Sequence, residues 1–220
     1  VAERMIREQG AIPYNKGYHP KWSATPYPAT ICASVNEEVC HAPPGGRTLK
    51  NGDIVKYDIG VKYGSGCGDA ALTVGIGEIS PRKIRAMRYG LQVLYKGIEQ
   101  VKAGAKVSDI GNAIEKYLVI NGYKPIKEYG GHGIGKEMHE EPQIPNFYDP
   151  KDENEILRAG QVICIEPMIT PGNARTAISG HDKWTVYTLD RQPVVMYEHQ
   201  ILVTDQGHEI LTSHFKKPVL

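Results

Sequence analysis

Helical periodicity marks one long segment of the chain. From Ile84, the apolar residues Met87, Leu91, Leu94, Ile98 and Val101 recur at steps of three and four, which places them in one stripe on an α-helix. Ser80 stands where an N-cap belongs. Pro81 falls in the first turn, where its missing N–H is not needed, and Gly104 ends the segment. The stripe reads as core packing. A second helix is predicted over residues 108–121, with Ile110, Ile114, Tyr117 and Leu118 on one face and Gly122 as its stop. A short helix over 2–9 stops at Gly10. Elsewhere the pattern alternates or forms short apolar runs. Residues 31–39, 53–61, 69–76, 161–166, 184–189 and 194–204 read as strands. The glycine-laden segment 63–68 joins the second and third into a hairpin, setting Asp58 and Asp69 on adjacent antiparallel strands. Residues 11–30, 148–155 and 170–183 read as loops.

The pattern also repeats. Leu49-Lys50-Asn51-Gly52 lies ahead of Asp58 as Leu157-Arg158-Ala159-Gly160 lies ahead of Glu166, with an apolar strand between in each case. Asp69 is followed by Leu72 and Val74 at the offsets that separate Glu198 from Ile201 and Val203. Upstream, Glu3, Gly10 and Pro13 match the spacing of Glu115, Gly122 and Pro125. These echoes predict two similar αβ units facing each other. They draw Asp58, Asp69, Glu166 and Glu198 towards one central point. Each carboxylate alone could face outward from its strand. Four at symmetric positions on apolar strands would be costly to bury without compensation, and divalent cations supply it. Asp and Glu can bridge two ions about 3.5–4 Å apart, the geometry of hydrolytic two-metal sites.

The stretch Gly130-Gly131-His132-Gly133-Ile134-Gly135-Lys136-Glu137-Met138-His139-Glu140-Glu141-Pro142 adds imidazoles to this set. Imidazole and carboxylate are ligands that borderline divalent metals accept. The glycines let the backbone approach a ligand without a Cβ clash. A phosphate-cradling loop would carry a Lys-Ser/Thr pair or a strand-to-helix turn, and neither is here. His132 and His139 are too far apart in sequence for the helical zinc signature.

The chain has 220 residues, of which 40% are hydrophobic, enough for one large domain or two small halves around a buried core. Its 26 basic and 25 acidic residues leave a formal charge of +1, so no global field draws it to nucleic acid or an acidic membrane. Cys32, Cys40, Cys67 and Cys164 form no CxxC pair and read as reduced thiols of an intracellular, cytoplasmic protein. No apolar run approaches the ~20 residues of a membrane span, and the N-terminus is charged where a signal peptide would be apolar.

His41, the Asp58/Asp69 pair, the GHGIG-x₃-HEEP block, Ile165-Glu166-Pro167-Met168 and Tyr197-Glu198-His199 together resemble the methionine aminopeptidases with the pita-bread fold, and the type I enzymes most. The similarity covers nearly the whole chain. It implies an α+β pita-bread fold: two pseudo-symmetric αβ halves with a central curved antiparallel sheet and helices on the outer face. It implies one catalytic domain over 1–220, with halves of about 1–79 and 80–220. It implies removal of the initiator methionine from nascent proteins and peptides by dinuclear-metal hydrolysis of the first peptide bond. Asp58 would chelate one ion, Asp69 and Glu198 would bridge, and His132 and Glu166 would complete the other ion; cobalt, manganese, iron or zinc would suit. Glu166 would shuttle the proton. His139 would donate to the carbonyl oxygen, and His41 would contact the scissile nitrogen or a neighbouring amide. Trp184, Tyr27, Cys32 and Met138 would line the methionine pocket, where a thioether can stand in for an aromatic.

On this reading the partner is a peptide or nascent chain with N-terminal methionine, compatible with association with the ribosome. The protein is expected to be a monomer, with no specific nucleic-acid partner and no membrane. His199 is expected to support a metal ligand or to be structural, rather than catalytic. His19, His181, His208 and His214 are expected at the surface or in loops, and Lys216 and Lys217 in a solvated tail. The family usually carries a first helix ahead of the point where this chain begins, so an uncovered apolar patch on the sheet's outer face is expected. Three alternatives fit the sequence less well. A peptidase cleaving before proline usually carries a large extra N-terminal domain. A catalytically silent pita-bread binding protein characteristically loses ligands that are all present here. A mononuclear iron oxygenase needs two histidines to one carboxylate, and here carboxylates outnumber histidines.

Overall fold

A computed structural model describes residues 1–21 and 23–213. His214, expected at the surface or in a loop, and Lys216 and Lys217, expected in a solvated tail, lie outside the described residues. Helix α1 (Ala2–Glu8) turns through Gly10, whose φ of 76° favours glycine, into the two-residue strand β1 (Ile12–Pro13). An irregular stretch leads to β2 (Cys32–Val35) and then to the long hairpin of β3 (Ile54–Tyr63) and β4 (Gly66–Gly75). Helices α2 (Pro81–Ile98) and α3 (Val107–Ile120) follow. The rest is short strands: β5 (Lys124–Pro125), β6 (Gly131–Gly133), β7 (Glu140–Ile144), β8 (Val162–Ile165), β9 (Met168–Thr170), β10 (Thr176–Ile178), β11 (Val186–Thr188), β12 (Val195–Met196), β13 (His199–Val203) and β14 (His208–Ile210).

The two long helices form for the reasons visible in the pattern. The Ser80 hydroxyl accepts from the Lys83 N–H at 3.4 Å, and Met87, Leu91, Leu94 and Ile98 are buried. Helix α3 begins a residue earlier than expected. The Asp109 carboxylate accepts from the Lys106 N–H at 3.1 Å and satisfies a donor at that end. Ile110, Ile114 and Leu118 of α3 meet the α2 stripe and Ile163, Ile165, Val195 and Ile201 of the sheet in one buried cluster.

The sequence echo is an echo of register. β1 pairs β3 through Pro13↔Val61 and Ile12↔Lys62, and β5 pairs β9 through Pro125↔Ile169 and Lys124↔Thr170. Farther back along the same edges, β2 pairs β3 and β6 pairs β8. On the opposite edges, β4 pairs β3, while β12 and β13 pair β9 and β8. Thus β8 and β9 together repeat β3, and β12 and β13 together repeat β4. This is the α+β fold with two pseudo-symmetric halves.

The halves are stitched through β4. The Glu198 N–H donates to the Ala71 carbonyl (2.8 Å), and the Thr73 hydroxyl donates to the Met196 carbonyl (2.7 Å) and accepts from the Met196 N–H (3.0 Å). Lys56, buried and pushed down to about 7 by loss of hydration, donates to the carbonyls of Asn36 (2.8 Å) and Val194 (3.1 Å).

Several expectations from the pattern change, beginning with β1 inside the segment 11–30 expected as loop and a 3-10 turn (Pro150–Asn154) inside 148–155. The glycine-rich stretch contributes strands β6 and β7. Segment 170–183, expected as loop, contains β10, paired with β11. The strand expected over 194–204 is two strands, and β14 adds a further edge strand beyond it. Very short strands carry too few alternations to show a period of two. On the outer face, α1 buries no residue, and Ile59 and Tyr63 remain exposed. Among the described residues, no helix is long and apolar enough to cross a membrane.

Candidate metal centre

The period of two along each strand sorts the acids from the core. On β8, Ile163 and Ile165 enter the buried cluster, so Cys164 and, one step past the strand, Glu166 face the other way. On β13, Ile201 and Val203 join the core, which leaves Gln200 and the preceding Glu198 on the opposite face. On the hairpin, Asp58 lies opposite Ala71 and Asp69 opposite Gly60, so both acids project from one face, two residues out of register. Cys32 of β2 is the cross-strand partner of Asp58.

His132 is brought in by β6, which only glycines allow so close. A side chain at 131 would run into the Cys164 carbonyl, and one at 133 into the Glu141 carbonyl. A register shift between His132 and Gly133 re-aims the imidazole. Its Nδ1 donates to the Gly133 carbonyl at 2.9 Å, which leaves Nε2 as the bare nitrogen. That Nε2 lies 3.9 Å from Asp69 Oδ2 and 3.8 Å from Glu166 Oε1.

Asp69, His132, Glu166 and Glu198 are buried and Asp58 is half-buried. Loss of hydration, then mutual repulsion, holds the carboxyls of Asp69, Glu166 and Glu198 well above the usual range. Burial pushes Asp58 up to about 6. Asp69 Oδ1 and Glu198 Oε1 are buried with no hydrogen-bond partner among the described residues. Burial lowers the pKa of His132 and so favours the neutral imidazole that binds metals. Ligand atoms of Asp69, His132, Cys164 and Glu198 all lie within 4.8 Å of one another. Orphaned buried oxygens, carboxyls that cannot ionise together, and a bare imidazole nitrogen fit a divalent cation.

A family profile decides what kind of protein carries this cluster: that of metallopeptidase family M24 matches residues 2–205. The chain belongs to metallopeptidase family M24. Among its M24 relatives, "Methionine aminopeptidase 1" of Bacillus subtilis is 41% identical over 212 residues, covering 96% of this chain and 82% of that protein. The methionine aminopeptidase of Aquifex aeolicus is 40% identical over 97% of this chain and 83% of its own length. A crystal structure of methionine aminopeptidase from Thermotoga maritima superposes with a TM-score of 0.88 at 38% identity, covering 95% of this chain and 81% of that one.

Within this M24 fold, a cavity of about 390 Å³ opens from the acids. Asp58, Asp69, His132 and Glu166 line it together with His41, His139, Tyr27, Cys32, Met138 and Trp184. Glu198 belongs to the acid cluster without being a lining residue. Tyr27 meets Trp184 edge to face at 5.0 Å between centroids, and His41 meets Tyr129 likewise at 5.6 Å. His41 holds a φ of 57°, and burial pushes it down to about 4. His139 is exposed as a residue, yet its ring lies 4.4 Å from that of His132 between centroids. Loss of hydration and the nearby His132 and His41 push it down to about 4.

Sequence reasoning missed several wall residues. Tyr14, Asn15, Tyr18 and Tyr129 line the cavity, and the Tyr18 hydroxyl bonds His139 Nδ1 at 3.2 Å. They sit in or beside irregular loops without periodicity, so no local signal marks them. Cys164 was detectable, because it stands two residues before Glu166 on a strand. Gln200 accepts from the Asp69 N–H (3.2 Å) and donates to the Cys67 carbonyl (3.3 Å), a tie across 131 residues of sequence or more. His199 is fully buried and bonds the Thr212 hydroxyl through Nδ1 at 3.0 Å.

Proposed function

We propose that this chain is a metal-dependent aminopeptidase that removes N-terminal methionine from peptides and nascent proteins. The observation that carries the reading is the joining, in one cavity, of an acid–imidazole cluster with an apolar aromatic wall. Side chains from both halves contribute, which supports taking 1–220 as one catalytic unit.

Asp58, Asp69, His132, Glu166 and Glu198 would hold two divalent cations, with Asp69 and Glu198 shared; cobalt, manganese, iron or zinc would suit these donors. Bound there, the cations would neutralise the cluster and supply an acidified water and a polarised scissile carbonyl. Glu166, ionised and beside His132, would take a proton from the attacking water and return it to the leaving amine. His139 is neutral at pH 7. With the Tyr18 hydroxyl donating to Nδ1, its Nε2 carries the hydrogen and donates to the carbonyl oxygen as charge develops. His41, against Tyr129 and Trp184, reaches the scissile or neighbouring amide. Tyr27, Cys32, Met138 and Trp184 take the methionine side chain, and the acid cluster draws in the substrate's free α-amine. That limits the cut to the first residue.

The test is a peptide assay. Chelator-stripped protein given cobalt or manganese should release methionine from Met-Ala-Ser and leave Lys-Ala-Ser intact. No release with metal bound would overturn the reading in favour of a silent binding protein.

A further inference from the structure

Cys164 has no part in the mechanism above, yet it occupies the middle of the centre. It is fully buried on β8, opposite Gln200. Its backbone is fixed on the other edge by the close approach of Gly131 to its carbonyl. The alternation that puts Ile163 and Ile165 in the core turns its sulfur to the side of Glu166. There, Sγ shares one small space with Asp69, His132 and Glu198, all four donor atoms lying within 4.8 Å of one another. Two of the other three donors come from side chains with orphaned oxygens, Asp69 Oδ1 and Glu198 Oε1, and Glu198 is more than nine-tenths buried. Bonds of about 2.0–2.3 Å to a tetrahedral ion set any two donors roughly 3.3–3.8 Å apart. Side chains that begin within 4.8 Å of one another draw in by up to about 1 Å to meet that.

We propose that Cys164 supplies a sulfur donor to the metal centre, making the ion held by Asp69, His132 and Glu198 a mixed nitrogen, oxygen and sulfur site. A carboxylate-and-imidazole set accepts hard and borderline cations alike, whereas a thiol sulfur biases it towards zinc, cobalt or iron and away from manganese and magnesium. In a purely structural role, the thiol fills space beside Cys67, Ile134 and Met138 and hydrogen-bonds the Glu198 carboxyl. Serine would replace it at slight cost, and no metal property would change. The inference rests on the metal centre of the proposed function, and its test separates the two.

Chelator-stripped protein is titrated with cobalt(II) alone and followed by absorption. It should develop sulfur-to-cobalt charge-transfer absorption in the near ultraviolet beside the weak visible bands of the bound ion. Cys164→Ser should lose the near-ultraviolet band and keep the visible ones, and Cys40→Ser, a buried cysteine in a separate apolar cluster, should keep both. Zinc affinity should fall by ~10–100-fold in Cys164→Ser, while manganese affinity should change by less than about threefold. If Cys164→Ser does not fold, X-ray absorption on the zinc-loaded natural chain decides, because a sulfur scatterer at about 2.3 Å is expected. A shell of nitrogen and oxygen alone, or matching cobalt spectra for both proteins, would overturn the sulfur assignment and leave the peptidase reading standing if Met-Ala-Ser is still cleaved. A protein that takes up no cobalt would overturn both.

Discussion

The two copies of the central strand pair are built differently. β3 and β4 run for ten residues each without interruption, whereas their counterparts break at Glu166-Pro167 and at Tyr197-Glu198. Proline has no N–H for a ladder, so the break after Glu166 follows from chemistry. The freed backbone groups are satisfied from elsewhere. Asn146 donates to the Glu166 carbonyl at 3.2 Å, and the Glu198 N–H donates to Ala71 of the other copy at 2.8 Å. The second copy thus gives up ladder bonds within its own sheet for bonds to a loop and to the first copy. The acids at the breaks are the ones those bonds hold in place. The outer coverings differ as well. Two helices and a large apolar cluster back the second copy, while α1 of the first buries nothing. Chemistry draws on both halves, and stability draws mainly on one.

The largest expected effect is at the shared acids. Glu198→Ala should lower methionine release by about 10³-fold or more and reduce bound metal, measured by peptide assay and elemental analysis. His41→Asn, which tolerates the positive φ, should cost activity with metal content unchanged. Loss of metal there would contradict the division of roles. Next comes the covering. Leu94→Ala should cost roughly 2–5 kcal/mol in urea unfolding, and Met5→Ala on α1 less than about 0.5 kcal/mol. Equal losses would mean that the first half is better anchored than its packing shows.

A smaller effect is pH-dependent. His41 is lowered to about 4 in the fold. Between its unfolded pKa of about 6.5 and 4, the unfolded chain binds the extra proton. Its contribution to stability is therefore full above ~6.5 and lost as pH falls towards 4. Thermal unfolding from pH 7 to 4 should show a shallower decline in His41→Asn than in the natural chain. The smallest effect concerns the Tyr18 hydroxyl. Tyr18→Phe should lower kcat by roughly fivefold, about 1 kcal/mol, with KM nearly unchanged. A pure KM effect would place Tyr18 in the pocket wall alone.

These contrasts show what a single sequence can carry. The α2 stripe was legible because four turns of regular spacing outweigh local noise. The acids were legible because a duplicated register repeats them. Strand β6 was not, because Gly131-His132-Gly133 has no alternation to read. Its place is dictated by carbonyls of distant residues that leave no room for a Cβ. Tyr18 was not legible for the same kind of reason. Its bond to His139 spans 121 residues and starts in an irregular loop held by backbone bonds to Tyr27. Cys164 was within reach of the period-two rule, but a buried cysteine on an apolar strand reads as packing until its neighbours in space are known.

The most direct measurement is a crystal of manganese-loaded protein recorded at the manganese absorption edge. Two anomalous peaks should lie in the space bounded by Asp58, Asp69, His132, Glu166 and Glu198. Ordered ions elsewhere, with that space empty at saturating metal, would contradict the account.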